Sequence, residues 1–159
     1  MASADLREQS EAIAERWQQQ ILATYAEPSA RAFQREKNPF ANPVGHALRT
    51  GTRAAVERLA EGRTPAEVAA ALDEIIRIRA VQEFKPSQAV AFVFLLKDAM
   101  RADGGTAGST ESANLDRQID PIALAAFDIY MHYREQICDL RIREIKRSIG
   151  MAGKGNLDG

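Results

Sequence analysis

Arg79 stands inside IIRIRAVQEFKPSQAVAFVFLLK, residues 75–97, the most apolar stretch of the chain, with Gln82, Glu83 and Gln88 close behind it. A guanidinium is permanently charged and presents five N–H donors in a fixed fork, so among apolar residues it is suited to gripping a carboxylate or another compact anion. On a helical wheel Val68, Leu72, Ile75 and Ile76 form one apolar face, and Arg79 continues it while Arg77 points the opposite way. Arg77 is therefore expected in solvent and Arg79 at the core margin. A buried charge without a partner costs several kcal/mol. Two readings follow: Arg79 pairs with Glu83 or with a helix C-terminus, or it helps to bind an anionic ligand or a partner protein together with Gln82, Glu83 and Gln88.

Other chemistry-bearing residues are scattered. His46 and His132 lie off the apolar faces of their helices, and no Glu-x-x-His pair offers a metal site. Asp73 with Glu74, and Glu135 with Asp139, are carboxylates on helices whose surfaces are charged anyway. Gly104-Gly105 lacks the lysine and the strand-to-helix setting of a phosphate loop. Cys138 is the single cysteine, which excludes an internal disulfide and a CxxC site and reads as a buried structural thiol rather than a nucleophile. The expectation is a non-enzymatic protein without metal or cofactor.

The elements that place these residues are helices. Apolar residues recur at helical spacing throughout, and no run of β-branched residues is bounded by hairpin signals. The pattern predicts an all-α single domain of about five main helices over residues 1–149, with a disordered tail at 150–159. The first, from about Ser3 to Tyr25, carries Leu6, Ile13, Trp17 and Ile21 on one stripe. After a proline-containing linker, Asn42-Pro43 offers an N-cap and a proline-compatible first turn for a second helix, which Gly62 ends. Thr64-Pro65-Ala66-Glu67 has the form of a capping box and opens a third helix to about Phe84. Pro86 then starts a fourth, central and buried helix to about Arg101. Residues 102–115 read as a loop, and the last helix is expected from Asp120-Pro121 to about Ser148.

The last helix has two apolar stripes. Ile122, Ala126, Ile129, Tyr133, Ile137 and Leu140 are suited to docking on the core, whereas Phe127, Met131, Cys138, Ile142, Ile145 and Ile149 lie nearly opposite. The last four are spaced four, three and four apart, as in a coiled-coil seam. A homodimer is expected through Met131, Cys138, Ile142, Ile145 and Ile149, joined by the Leu6, Ile13 and Trp17 stripe of the first helix.

Composition narrows the function classes. The 159 residues are 45% hydrophobic and 27% charged with a net charge of -1, which gives no bulk attraction to nucleic acid or to an anionic membrane. The basic residues Arg141, Arg143, Lys146 and Arg147 point in several directions, unlike a nucleic-acid-binding face. The uninterrupted apolar run, Ala89 to Leu96, is far short of the roughly 20 residues a membrane span needs. Acidic residues at the start and no apolar h-region argue against a signal peptide, so a cytoplasmic location is expected.

In FANPVGHAL, DEIIRIRAVQEFKPSQAVAFVFLLK and YREQICDLRIREIKR the chain resembles the RsbRD N-terminal domain family, named from an RsbT co-antagonist. The likeness runs from about Leu6 to Ile149, and its most specific part is Ile76 to Lys97. It implies a helical, globin-like sensory or protein-interaction domain of the kind fused to regulators and sensor histidine kinases, haem-free in related stressosome sensors. It supplies no catalytic residues; Arg79, Gln82, Glu83 and Gln88 lie within the matching motif. The expected function is a regulatory or sensor module acting through a homodimer, its terminal helices and an unidentified regulatory protein partner. The alternatives are a small-molecule or haem-binding sensor, and an accessory protein of bacterial dissimilatory sulfur metabolism, as some stand-alone members of the family suggest.

Overall fold

The computed structural model describes residues 3–82, 84–101 and 109–155. Among these the chain is all-α, as expected, and forms a single helical domain. The helices are α1 (Ser3–Glu8), α2 (Ser10–Leu22), α3 (Glu27–Arg35), α4 (Pro43–Ala60), α5 (Pro65–Ala70), α6 (Asp73–Val81), α7 (Pro86–Val90), α8 (Leu95–Arg101) and α9 (Ser109–Gly155), with a 3-10 turn at Ala91–Val93. No helix among the described residues is long and apolar enough to cross a membrane.

The helix-end chemistry read from the sequence is in place. Asn42 Oδ1 accepts from the Gly45 N–H at 2.9 Å, while its Nδ2 donates to the carbonyls of Phe33 and Glu36, both at 2.8 Å. This buried amide thus caps α4 and ties it to α3. Thr64 and Glu67 form the reciprocal capping box at the start of α5. Gly62 takes φ +74°, the left-handed conformation that glycine adopts without a side-chain clash.

Tertiary packing divides what periodicity joins. The expected first helix is α1 followed by α2, and the expected third is α5 followed by α6 with a turn at Ala71-Leu72. That turn lies tight against α4: a Cβ on Gly51 would stand 3.1 Å from the Ala71 carbonyl. The fourth segment is α7, the 3-10 turn and α8, packed between α2 and α9. Its winding buries Ala89, Phe92, Val93, Leu96, Ala99 and Met100, and turns Phe94 outward.

Two further boundaries are corrected. α9 starts at Ser109, not Asp120, and passes straight through Pro121. An internal proline forfeits one backbone bond and costs about 3 kcal/mol in a helix interior. Leu115, Ile119 and Ile122 are buried on either side of Pro121, so docking of this segment on the core overrides the break. At the other end α9 runs to Gly155 instead of stopping near Ser148. Residues 102–108 of the expected loop and the last four of the expected tail lie outside the described residues.

Leu6, Ile13 and Trp17, expected at a dimer interface, belong to this chain's own core. Trp17 Nε1 donates to the Phe92 carbonyl at 2.7 Å and its ring stacks on Phe92. These three have no surface left to offer a second copy. Met131, Ile142, Ile145 and Ile149 are exposed, and so is Cys138, which corrects its reading as a buried thiol. Leu140, read as part of the core-docking stripe, is exposed as well, because residues 138–153 of α9 extend past the body with every side chain in solvent.

Candidate functional site

Arg79 sits in the last turn of α6, on the face that also buries Ile75, Ile76 and Ala80. It is 3% exposed. Arg77, two residues earlier, is in solvent and pairs with Glu74, so the wheel separated the two arginines correctly.

The surroundings of the buried guanidinium contain no carboxylate among the described residues. Nη1 donates to the Gln88 carbonyl at 2.9 Å and Nη2 to the Tyr25 hydroxyl at 3.2 Å. The rings of Phe92, Phe84 and Tyr25 stand with their centroids 4.9, 5.0 and 5.5 Å from the guanidinium carbon. Nε, also buried, has no hydrogen-bond partner among the described residues. Burial pulls the guanidinium pKa down from its ordinary value, with the Tyr25 oxygen acting in the other direction. An arginine still keeps its charge over any ordinary pH range.

Beside this guanidinium is a recess of about 240 Å³, lined by Arg79, Phe84, Gln88, Ala91, Phe92, Leu95 and Thr24. Four segments build it: the end of α2, the end of α6, α7 and the 3-10 turn leading into α8. Each contributes for a local reason. Pro86 restarts the helix and brings the Gln88 carbonyl, in the last turn of α7, toward α6. The Phe84 carbonyl accepts from the Tyr130 hydroxyl of α9 at 2.8 Å, which fixes the chain between α6 and α7 and ties the recess wall to the last helix.

Of the residues singled out from sequence, Arg79 and Gln88 meet here, Gln88 through its backbone carbonyl. Gln82 is exposed at the end of α6 and does not line the recess. Glu83 lies outside the described residues. Sequence reasoning missed Tyr25, Phe84 and Phe92. Tyr25 is 54 residues from Arg79, beyond the reach of helical spacing, whereas Phe84 and Phe92 flank Pro86 in the same apolar stretch and carried a signal in their aromatic character.

A second buried-edge cation gives a contrast. Lys97 of α8, its side chain 16% exposed, reaches Asp116 at 2.7 Å and Asp120 at 2.6 Å on α9, with the Phe94 ring centroid 5.2 Å away. Burial disfavours the charged ammonium, but the hydrogen bonds from Asp116 and Asp120 outweigh it and the Lys97 pKa is raised. The same hydrogen bond holds the Asp116 carboxyl below its usual range. This cluster locks α8 to α9. Among the described residues no group of three or more His, Cys, Asp and Glu could hold a metal ion.

Comparison with known proteins matches no curated protein and no solved structure. A family model does match, over residues 11–145, and so covers α2 from its second residue through α8, the Arg79 recess and α9 as far as the first half of its overhang, leaving α1 outside. The chain belongs to the RsbT co-antagonist protein rsbRD N-terminal domain family, a family of regulatory signalling domains.

Proposed function

We propose that the domain is a non-enzymatic regulatory module that passes its signal through α9, paired along its exposed length with the α9 of a second copy. One observation carries this reading. Phe127, Met131, Cys138, Ile142, Ile145 and Ile149 are all exposed and fall within a sector of about 60° on one continuous helix. Over the overhang, about 24 Å of helix at 1.5 Å per residue, nothing among the described residues covers them.

Charge selects the orientation. With Cys138 and Ile145 at d and Ile142 and Ile149 at a, Asp139 and Lys146 occupy e positions and Arg141 a g position. A parallel pair sets Arg141 against Lys146 of the other copy, like against like. An antiparallel pair, with Ile142 facing Ile145, brings Asp139 to Lys146 twice. Pairing of unlike charges favours the antiparallel arrangement. The body half of α9 packs against α5, α6 and α7, so a change in the body has a direct route to the paired half.

Light scattering should give about twice the chain mass of 17.5 kDa, and Ile142→Asp should return it to a single chain. Mild oxidation tests the orientation: an antiparallel seam sets the native Cys138 residues apart, whereas Ile149→Cys places a new thiol opposite Cys138 and should give a disulfide-linked dimer. A monomeric wild-type chain would sink the reading. A second reading, a small-molecule sensor, is favoured by the recess at Arg79; its lining contains no His, Cys or Met to serve as an axial ligand for haem.

A further inference from the structure

We propose that the Arg79 recess binds a short-chain organic monocarboxylate, its carboxylate on the guanidinium and its tail against Phe84, Phe92 and Leu95. The inference is independent of whether α9 pairs.

Among the described residues the guanidinium is a buried cation held by neutral groups alone. A carbonyl, a phenol oxygen and three ring faces satisfy two of its nitrogens and stabilise the charge, yet Nε–H keeps no acceptor. A buried donor without an acceptor is destabilising, the more so when it belongs to a charged group. A purely structural arginine is expected to have a carboxylate, as Lys97 has with two, or enough carbonyl acceptors for all its donors, and Arg79 Nε has neither among the described residues. A second carboxylate oxygen can also accept from an Nη whose other N–H is already bonded, which is the side-on fork geometry that carboxylates match.

Charge and size fix the class. One cation neutralises one negative charge, so a phosphate dianion would carry an excess charge into a wall of Phe84, Phe92, Ala91 and Leu95. The volume of about 240 Å³ is below the roughly 300–1,000 Å³ of sites for drug-sized ligands, which suits a metabolite of a few carbons. Ala91 and Thr24, both exposed, line the recess on its solvent side, while Nε is closed to solvent, so a carboxylate that reaches it must shift the side chains around the guanidinium. Once bound it touches the ends of α2 and α6, α7 and the start of α8, and through the Phe84 carbonyl it is one hydrogen bond from Tyr130 of α9.

The test is calorimetric titration of the full chain with sodium acetate, propionate and butyrate, against sodium chloride and inorganic phosphate at matched ionic strength. Butyrate is expected to bind saturably and more tightly than chloride or phosphate, because its tail reaches the aromatic wall. Arg79→Gln should abolish binding. As that variant can fail to fold, Ala91→Leu is the second: its side chain fills the recess from an exposed position, and butyrate should bind at least about tenfold more weakly, a difference of 1.4 kcal/mol. The proposal is overturned by the absence of saturable butyrate binding, by chloride or phosphate binding as tightly, or by wild-type affinity in Ala91→Leu. Light scattering on the same samples reports α9 pairing separately, so the two readings fail by different measurements.

Discussion

Arg79 and Lys97 are both cations at the ends of apolar helical segments, and the protein treats them in opposite ways. Lys97 has two carboxylates on α9 within 2.7 Å, and its charge is neutralised by this chain. Arg79 is deeper, yet among the described residues it receives only a carbonyl, a phenol and three aromatic faces. Lys97 is a strut between α8 and α9, complete as it stands. Arg79 is held in place but not neutralised, so the capacity for an anion remains. The difference teaches that burial of a charge says less about its role than the chemistry of its partners does.

The contrast can be broken by mutation, and the largest effect is expected at Arg79. Arg79→Ala removes a side chain packed between three rings and strands the Gln88 carbonyl and the Tyr25 hydroxyl; chemical denaturation should show a loss of about 3–4 kcal/mol. A loss under about 1 kcal/mol would mean that the guanidinium contributes little to the fold. Tyr25→Phe keeps the ring and deletes one hydrogen bond to the charged group, which should cost about 1.5 kcal/mol by the same measurement.

Lys97→Met should cost the least, about 1 kcal/mol, because both aspartates are half exposed and solvent screens the pair. Its signature is pH dependence. Asp116 has a lowered carboxyl pKa in the fold, so its contribution is present above about pH 4 and is lost as pH falls through the lowered value. The raised Lys97 pKa works at the other limit: its contribution holds below about pH 10 and fades as pH rises through the raised value. Wild type should therefore lose stability at both limits faster than Lys97→Met, as denaturation at a series of pH values would show. The stability difference between Tyr25→Phe and wild type should stay flat over the same range, since no titrating carboxylate serves Arg79 among the described residues.

The helical wheel read the inward Arg79 and the outward Arg77 from spacing alone, since which way a side chain points on a helix depends only on its neighbours in sequence. Asn42, Gly62 and the Thr64–Glu67 box were legible for the same reason, as cap chemistry is completed within four residues. The apolar stripe of α9 was also legible, because a four-three-four pattern is a property of one helix, but that it stays exposed was not. Leu6, Ile13 and Trp17 looked the same from sequence as the seam residues: an apolar stripe shows that a face must be covered and not by what.

Sequence by itself determined the all-α class, the helix caps, the inward arginine and the second apolar stripe of the last helix, since each follows from contacts within a few turns of one helix. Only the tertiary structure decided that α9 continues through Pro121, that Trp17 packs on Phe92 inside its own chain, and that Arg79 meets Tyr25 and a recess instead of a carboxylate. Those outcomes depend on groups tens of residues apart competing for the same buried space, and the energy of filling that space exceeds what local propensity contributes.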